Sequence, residues 1–186
     1  MPDSLTDEEL MARVREGELP LLSSLFERHN RRLYHYFLRA CRGRAAAEDL
    51  VQEVFVRLLK YRHTYRDGAP FAPWLWASAR NAVADHFRGS PAELPRFEDE
   101  PEPAAEEPSA LDELEGAEAR RRLRSALDGL APEKREVLLL ARFSDLKYQR
   151  IGELLGISEG AVKLRVHRAM KDLKSSLLAG TEGGLA

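Results

Sequence analysis

The segment from residue 158 to residue 174 concentrates basic side chains in a pattern that suits contact with nucleic acid. Only two acidic residues in it, Glu159 and Asp172, oppose them. The basic side chains are Lys163, Arg165, His167, Arg168, Lys171 and Lys174. Arginine and lysine neutralise phosphates and can also reach the guanine acceptors that line the major groove of DNA. The chemistry indicated is recognition of duplex DNA, with a merely solvated basic face as the alternative.

The sequence around this basic face predicts the helix-turn-helix that would present it. Ile151 and Leu154 lie on one face of a short helix, and Gly156 can adopt the left-handed conformation that ends it. Ser158 suits the N-cap of a second helix, and Gly160 removes bulk where the backbone would approach a groove. The core-facing residues predicted on the second helix are Val162, Val166, Ala169, Met170 and Leu173. This arrangement places a recognition helix in the major groove.

A second candidate site combines aromatic and cationic side chains between residues 61 and 88. The aromatic members are Tyr61, Tyr65, Phe71, Trp74, Trp76 and Phe87, and the basic members are Arg62, His63, Arg66, Arg80, His86 and Arg88. An aromatic ring stacks on any unpaired base, while cations follow the sugar-phosphate backbone. The pattern is therefore compatible with single-stranded DNA. The alternative is that several rings belong to the core, Trp76 and Phe87 above all.

The elements that would carry this second site are predicted to be helices. Thr6 and Glu9 form a capping-box pattern at the start of the first one. In residues 45–60, apolar pairs recur every four residues and define one buried stripe. These pairs are Leu50/Val51, Val54/Phe55 and Leu58/Leu59. Pro73 can occupy the first turn of a further helix from Trp74 to Arg88.

The charge of the chain is distributed very unevenly. The net charge of −2 over 186 residues separates into +2 for residues 1–90, −10 for residues 91–118 and +6 for residues 119–186. The middle segment also contains five of the ten prolines. Such a segment cannot bury a core and is expected to be an extended linker, although an ordinary acidic surface loop is the alternative. The prediction is an all-α protein with two small helical domains, residues 1–90 and 119–186, joined by this linker.

Other function classes find no support in the residues. No nucleophile-base pair, phosphate loop or metal-ligand cluster is visible, so we expect no catalytic residues, no metal and no cofactor. The single cysteine, Cys41, excludes an intrachain disulfide and is expected to be a buried thiol. The longest apolar run, Val137–Ala141, is far too short to cross a membrane. The acidic N-terminus is unlike a secretory signal, which favours a cytoplasmic protein without membrane insertion.

Two stretches of the chain together resemble the extracytoplasmic-function (ECF) sigma factors of bacterial RNA polymerase. Residues 47–59, AEDLVQEVFVRLL, followed by residues 71–88, FAPWLWASARNAVADHFR, are similar to the sigma-two domain of that family. Residues 130–173, LAPEKREVLLLARFSDLKYQRIGELLGISEGAVKLRVHRAMKDL, are similar to its sigma-four domain. The second motif is also similar to the output domain of LuxR-type regulators. Both motifs in this order, separated only by a linker, are highly specific for the sigma factors.

The resemblance implies an alternative sigma factor that binds core RNA polymerase and directs initiation at specific promoters. It assigns docking on the clamp coiled coil of the polymerase beta-prime subunit to Asp49, Gln52 and Glu53. It assigns opening and reading of the minus-ten element to Trp74, Trp76, Arg80, Asn81, Asp85 and Arg88. The residues expected to meet the duplex minus-thirty-five element are Ser158, Gly160, Lys163, Arg165, His167 and Arg168. The sigma-four domain would also contact the polymerase beta flap.

The resemblance also implies an inhibitory partner, and the sequence departs from the family pattern at three places. Family members are commonly held inactive by an anti-sigma factor that clamps both domains, and the linker suits such a clamp. Gln149-Arg150 stands where an acidic pair is frequent, Leu164 where a small polar residue is usual, and Gly89 where a basic residue is common.

The main rival function is that of a helix-turn-helix transcriptional regulator that acts without replacing the sigma subunit. A helical adaptor without a role on DNA is disfavoured by the basic face.

Overall fold

The computed structural model describes residues 5–41, 43–89 and 110–182, and these form eight α-helices and two single-turn 3-10 helices, with no strand among them. The all-α fold predicted from the sequence is therefore confirmed. The α-helices are α1 (Asp7–Glu16), α2 (Leu22–Ala40), α3 (Arg44–Lys60), α4 (Phe71–Gly89), α5 (Ala110–Asp128), α6 (Pro132–Phe143), α7 (Tyr148–Leu155) and α8 (Glu159–Glu182).

Local signals in the sequence account for several helix ends. The capping box at α1 is confirmed, because the Thr6 backbone N–H donates to Glu9 at 2.7 Å and the Glu9 N–H donates to Thr6 Oγ1 at 3.2 Å. Pro132 occupies the first turn of α6, where its missing N–H would have no helical partner. Helix α4 begins at Phe71, before the predicted start at Trp74, and Pro73 still falls within its first turn.

The predicted acidic linker is only partly covered by the described residues. Residues 91–109 lie outside them. From Ala110 onward the chain is helical, so the end of the segment predicted to be extended belongs to α5. The pattern of acids and prolines hid this start, because an acid-rich first turn is also favourable at a helix N-terminus. The division into two domains otherwise stays a prediction.

Helices α1 to α4 enclose an apolar core that extends into the C-terminal half. The stripe predicted on α3 is buried at Leu50, Val54 and Leu58, and it packs with Phe37 of α2 and Leu75 of α4. The same cluster includes residues from the C-terminal helices, namely Val137, Leu139, Leu140, Ile151 and Val162. The two halves of the described chain are therefore in apolar contact.

A smaller core holds α5, α6 and α8 together. Its buried members are Ala126, Leu127, Leu130, Leu138, Ala169 and Leu173. The prediction that Met170 faces this core is wrong, since its side chain is 51% exposed. Met170 follows Ala169 by one residue, which turns it by about 100° away from the buried face of α8. Within the described part of the chain, no helix is long and apolar enough to cross a membrane.

Candidate nucleic-acid interface

Helices α7 and α8 form the predicted helix-turn-helix. Gly156 ends α7 in the left-handed conformation, with φ of 68°, as expected. The Ile157 N–H donates to the Gly152 carbonyl at 2.9 Å, which closes the turn. Ser158 then accepts a hydrogen bond on its Oγ from the Ala161 N–H at 3.1 Å, as an N-cap residue does. The backbone hydrogen bond thus joins the turn to α7, and the Ser158 side chain caps the start of α8.

A glycine that the sequence analysis did not single out makes this close turn possible. A Cβ atom built on Gly152 would lie 2.6 Å from the Ile157 carbonyl oxygen and 3.4 Å from the Glu159 nitrogen. Both neighbours are backbone atoms of the turn, so they cannot move aside as the end of a flexible side chain could. A glycine four residues before the one that ends α7 was the only available signal for this contact.

Helix α8 presents its basic residues on the side opposite its buried face. Val162, Ala169 and Leu173 are buried against the other C-terminal helices. We call the exposed set on the opposite side, at helical spacing, the basic stripe: Gly160, Lys163, Leu164, His167, Arg168 and Lys171. Arg165 borders the buried face and is half-buried. The predicted residues from Ser158 to Arg168 thus lie at the exposed N-terminal end of α8, with Arg165 at its margin.

The charges of the basic stripe are largely uncommitted. Lys163 pairs with Glu159 at 2.6 Å, one helical turn away. Across the residues that the structure describes, Arg165, His167, Arg168 and Lys171 form no ion pair. Exposed cations without an acidic partner remain available to phosphates, which is what a DNA-reading helix requires.

The six residues assigned to the minus-ten element divide between two sides of α4. Trp74, Asn81, Asp85 and Arg88 recur at helical spacing on one side. Asn81 and Arg88 are exposed there, and Trp74 is half-buried against the Tyr65 ring, with centroids 5.3 Å apart. The structure brings these four residues onto one surface, which we call the α4 outer face.

The other two assigned residues, Trp76 and Arg80, point to the opposite side of α4. Trp76 is 2% exposed and stands edge-on to Tyr36, with ring centroids 5.2 Å apart. Arg80 donates to Glu136 Oε1 of α6 and to the Leu154 carbonyl of α7, both at 2.8 Å. Trp76 in the core agrees with the alternative weighed for the aromatic group, but the same expectation is wrong for Phe87, which is 55% exposed.

Arg57 of α3 links the polar face predicted on α3 to the α4 outer face. It was not among the residues predicted for either surface. Its guanidinium pairs with Glu53 at 2.6 Å and with Asp85 at 2.7 Å. The hydrogen bond from Arg57, with the nearby charge of Arg88, lowers the pKa of the Asp85 carboxyl. Asp85 is therefore held as a carboxylate that fixes α4 against α3, and a carboxylate would repel DNA phosphates.

The polar face predicted on α3 is open to solvent. Asp49 and Gln52 are exposed, and Glu53 is half-buried by its contact with Arg57. A cleft of about 400 Å³ lies between α3 and α4. It is lined by Ala46, Asp49, Leu50, Glu53, Arg57, Ala82, Asp85 and His86. The face formed by Asp49, Gln52 and Glu53, which we call the α3 polar face, is acidic, whereas the basic stripe is cationic. The two surfaces therefore suit different partners.

Cys41 and the metal-binding residue types form no reactive centre in the described part of the chain. Cys41 is 1% exposed, which confirms the expected buried thiol, and its burial raises its pKa to about 12. A thiol with such a pKa is not activated as a nucleophile. Among residues 5–41, 43–89 and 110–182, no three His, Cys, Asp or Glu side chains are placed to hold a metal ion.

Comparison with known proteins assigns both halves of the chain. Residues 25–90 match the family model for Sigma-70 region 2, and residues 120–173 match the model for Sigma-70 region 4. The chain is 37% identical over 170 residues to the RNA polymerase sigma factor CarQ of Myxococcus xanthus, covering 90% of this chain and 95% of that protein. It is 33% identical over 175 residues to the ECF RNA polymerase sigma factor SigL of Mycobacterium tuberculosis, covering 90% and 96%.

Solved structures share the fold. CnrH, solved in complex with the cytosolic domain of CnrY, matches with a TM-score of 0.70 at 24% identity, covering 93% of this chain and 97% of CnrH. RpoE of Bartonella quintana, solved with the anti-sigma factor NepR, matches with a TM-score of 0.65 at 21% identity, covering 83% and 95%. The two family models match in the order region 2 then region 4, and CarQ and SigL are matched over nearly their whole length. The chain therefore belongs to the ECF RNA polymerase sigma factors, alternative sigma factors that direct transcription initiation.

Proposed function

We propose that the chain performs this role as a binding subunit with three separate surfaces and no chemistry of its own. The α3 polar face binds core polymerase, the α4 outer face holds the opened minus-ten element, and the basic stripe reads the minus-thirty-five element as duplex. The observation that carries the proposal is the basic stripe, which lies opposite the buried face of α8 and in which Lys163 alone of the charged residues forms an ion pair among the described residues.

The acidic character of α3 supports its assignment to core polymerase. Asp49, Gln52 and Glu53 project from the helix on the side away from its buried stripe. Carboxylates repel DNA phosphates and favour a basic protein surface, which fits the clamp coiled coil of the beta-prime subunit named by the family resemblance. The C-terminal helices are proposed to contact the beta flap. These contacts would hold the DNA-binding surfaces at the positions that a promoter requires.

The minus-ten surface is proposed to act in two parts. On the α4 outer face, Trp74 offers a half-buried ring for stacking on an unpaired base, while Asn81 and Arg88 offer polar contacts. Arg80 is held by Glu136 and Leu154 in the conformation described, so its contact with DNA requires the two halves to separate. Trp76 supports this surface from the core.

At the minus-thirty-five element, the start of α8 is proposed to enter the major groove. Lys163 and Arg168 supply donors for phosphates or guanine acceptors, and His167 lies between them on the stripe. Ser158 and Gly160 allow the backbone to approach closely at the helix start. Arg165, at the stripe margin, suits a phosphate contact rather than a base contact.

An anti-sigma factor is proposed as the regulatory partner. The support is that the solved structures sharing this fold include RpoE with the anti-sigma factor NepR, although that partner belongs to RpoE. We place the activity in the cytoplasm, where core polymerase works. The main rival, a helix-turn-helix regulator acting without polymerase, is not favoured because it leaves the region 2 match over residues 25–90 without a role.

Transcription in vitro tests the proposal. Purified chain added to core polymerase should start RNA at promoters that core polymerase alone ignores. Arg168→Ala should weaken promoter selection by about tenfold, since a lost base or phosphate contact costs about 1–3 kcal/mol, and it should leave core binding unchanged. Glu53→Ala should instead weaken core binding and leave promoter selection unchanged.

The matched control for core binding is Glu48→Ala, which removes an exposed carboxylate of α3 outside the predicted set. Glu48 pairs with Arg44 within its own helix, as Glu53 pairs with Arg57. It should bind core polymerase like the wild type. Tight duplex binding without polymerase, together with no polymerase-dependent transcription, would contradict the proposal and favour the rival regulator.

A further inference from the structure

Leu164 is an exposed apolar side chain at the centre of the basic stripe. Its side chain is 47% exposed. Leu164 and the buried Leu173 are nine residues apart on α8, which turns them about 180° from one another. Leu164 therefore points away from the buried face of α8 and belongs to neither apolar core. Its exposed apolar surface would be covered if this side of α8 met a partner.

The residues around Leu164 leave its side chain open at the end of α8 that would enter the groove. A helical side chain leans toward the helix N-terminus and covers the residues three and four positions before it. For Leu164 these are Ala161 and Gly160, which are too small to shield it. In the other direction its neighbours are His167 and Arg168, both exposed. Leu164 is thus an exposed apolar side chain with small residues on its N-terminal side and basic residues on its C-terminal side.

The charge around Leu164 identifies the kind of surface it meets. Lys163, Arg168 and Lys171 lie on the same stripe, so a partner must be anionic where it contacts them. The partner must also present an apolar group within that anionic surface. In the major groove of DNA, the C5-methyl group of thymine is the apolar group on a base edge. Adenine, guanine and cytosine edges would instead lose hydrogen bonds to water without replacement by leucine.

We propose that Leu164 contacts a thymine methyl group in the minus-thirty-five element and makes one base pair of that element thymine-specific. This inference rests on the proposed function, because it requires α8 to lie in the major groove. It deepens that function by giving an apolar side chain a part in reading sequence beside the cations. The cations then supply affinity, and Leu164 supplies discrimination at one position.

The first experiment is selection by the reconstituted holoenzyme. Core polymerase with the full chain selects duplexes from a library randomised across the upstream promoter element. The wild type should enrich a site with a strong thymine preference at one position, and Leu164→Ala should lose that preference while the rest of the site is retained. Leu178→Ala is the matched control, since Leu178 is an exposed leucine of the same helix about 21 Å further from its N-terminal end.

The second experiment removes only the methyl group. Replacing that thymine by deoxyuridine in the selected duplex should weaken wild-type binding by about fourfold, which corresponds to about 0.8 kcal/mol for one buried methyl group. Leu164→Ala should bind both duplexes equally. An unchanged preference in Leu164→Ala, or equal loss on deoxyuridine in both proteins, would overturn the inference alone. A holoenzyme that selects no sequence would instead overturn the proposed function.

Discussion

At the scale of single residues, Asp7 shows how one carboxylate can hold a helix junction together. Asp7 opens α1, and its two oxygens lie 2.8 Å from Arg28 Nη1 and 2.6 Å from His29 Nε2 of α2. Burial by itself would raise the pKa of Asp7, but the hydrogen bond from Arg28 and the nearby His29 together lower it. The neighbouring Glu8 accepts from the Phe71 N–H at 3.0 Å, which ties α4 to the same junction.

This junction predicts a pH-dependent stability difference. Asp7→Asn removes the charge with little change of size and should lower the free energy of unfolding at pH 7 by about 1–2 kcal/mol. Because the pKa of Asp7 is lower in the folded chain than in the unfolded chain, its contribution is complete well above the ordinary value of 3.8 and is lost as pH falls through the folded pKa. Urea unfolding of both proteins between pH 7 and pH 3 measures the difference.

The control for this prediction is a more exposed ion pair of the same half. Asp67 lies 2.7 Å from Arg15, and its side chain is 67% exposed. Asp67→Asn should therefore change the free energy of unfolding by less than about 0.5 kcal/mol at pH 7. A stability difference between wild type and Asp7→Asn that persisted unchanged down to pH 3 would show that the carboxylate charge is not its source.

At the scale of elements, two glycines of the helix-turn-helix have opposite roles. Gly152→Ala would place a methyl group 2.6 Å from the Ile157 carbonyl oxygen, so the corner between α7 and α8 must open. We expect a loss of about 2 kcal/mol or more in the free energy of unfolding. Gly160 has open space, with its nearest neighbour at 3.9 Å, so Gly160→Ala should stabilise α8 by about 0.5 kcal/mol. Thermal unfolding distinguishes the two outcomes.

The same pair separates folding from DNA binding. If the backbone at Gly160 approaches the groove closely, Gly160→Ala should weaken promoter binding although it stabilises the fold. Gly152→Ala should weaken binding only in proportion to its loss of folded protein. A Gly160→Ala variant that binds promoter duplex like the wild type would remove the predicted groove contact at this residue. An unchanged stability of Gly152→Ala would contradict the assigned role of Gly152 in the turn.

Periodicity in the sequence predicted most of the helices, but it predicted neither the start of α5 nor which helix faces would be covered. On α3, residues Leu50, Val54 and Leu58 recur every four positions and are all buried. On α4, however, Trp76 and Phe87 lie on nearly the same side, eleven residues apart, and only Trp76 is buried. Whether a side chain is buried depends on how far the neighbouring helix extends alongside it, and the spacing of apolar residues in the sequence gives no information about that length.

The candidate sites were predictable to the extent that one helix carries them. The basic stripe lies on α8 alone, so spacing was enough to place Lys163, His167 and Arg168 on its exposed side. The link from Arg57 to Asp85 joins two helices, and the approach of Gly152 to the turn depends on the angle between α7 and α8. Such distances arise from tertiary packing, which the sequence pattern does not report.

At the scale of the whole molecule, the two halves are joined by polar contacts over a shared apolar core. Arg135 of α6 donates to the carbonyls of Arg39 and Ala40 at the end of α2, at 2.5 and 3.2 Å. Arg80 of α4 donates to Glu136 of α6 and to a carbonyl of α7. The contact therefore occupies Arg80, so this conformation and the minus-ten contact proposed for Arg80 would exclude each other at that residue.

Glu136→Ala tests this exclusion without altering any residue of the predicted DNA surfaces. The Arg80–Glu136 pair is about one-third exposed, so its loss should cost about 1 kcal/mol and raise the fraction of separated halves about fivefold. Energy transfer between dyes on α2 and α5 of the full chain reports that fraction. The control, Lys134→Ala, removes the neighbouring pair with Asp172, which lies within the C-terminal half.

The two variants should also differ in how readily Arg80 reaches a promoter. Glu136→Ala leaves Arg80 with only the Leu154 carbonyl, so less work is needed to expose it, and open complexes should form faster with core polymerase. Lys134→Ala should match the wild type in both energy transfer and rate. Equal energy transfer in all three proteins would mean that the apolar contact alone holds the halves together. Faster open-complex formation without a change in energy transfer would instead place the effect of Glu136 at the promoter rather than between the halves.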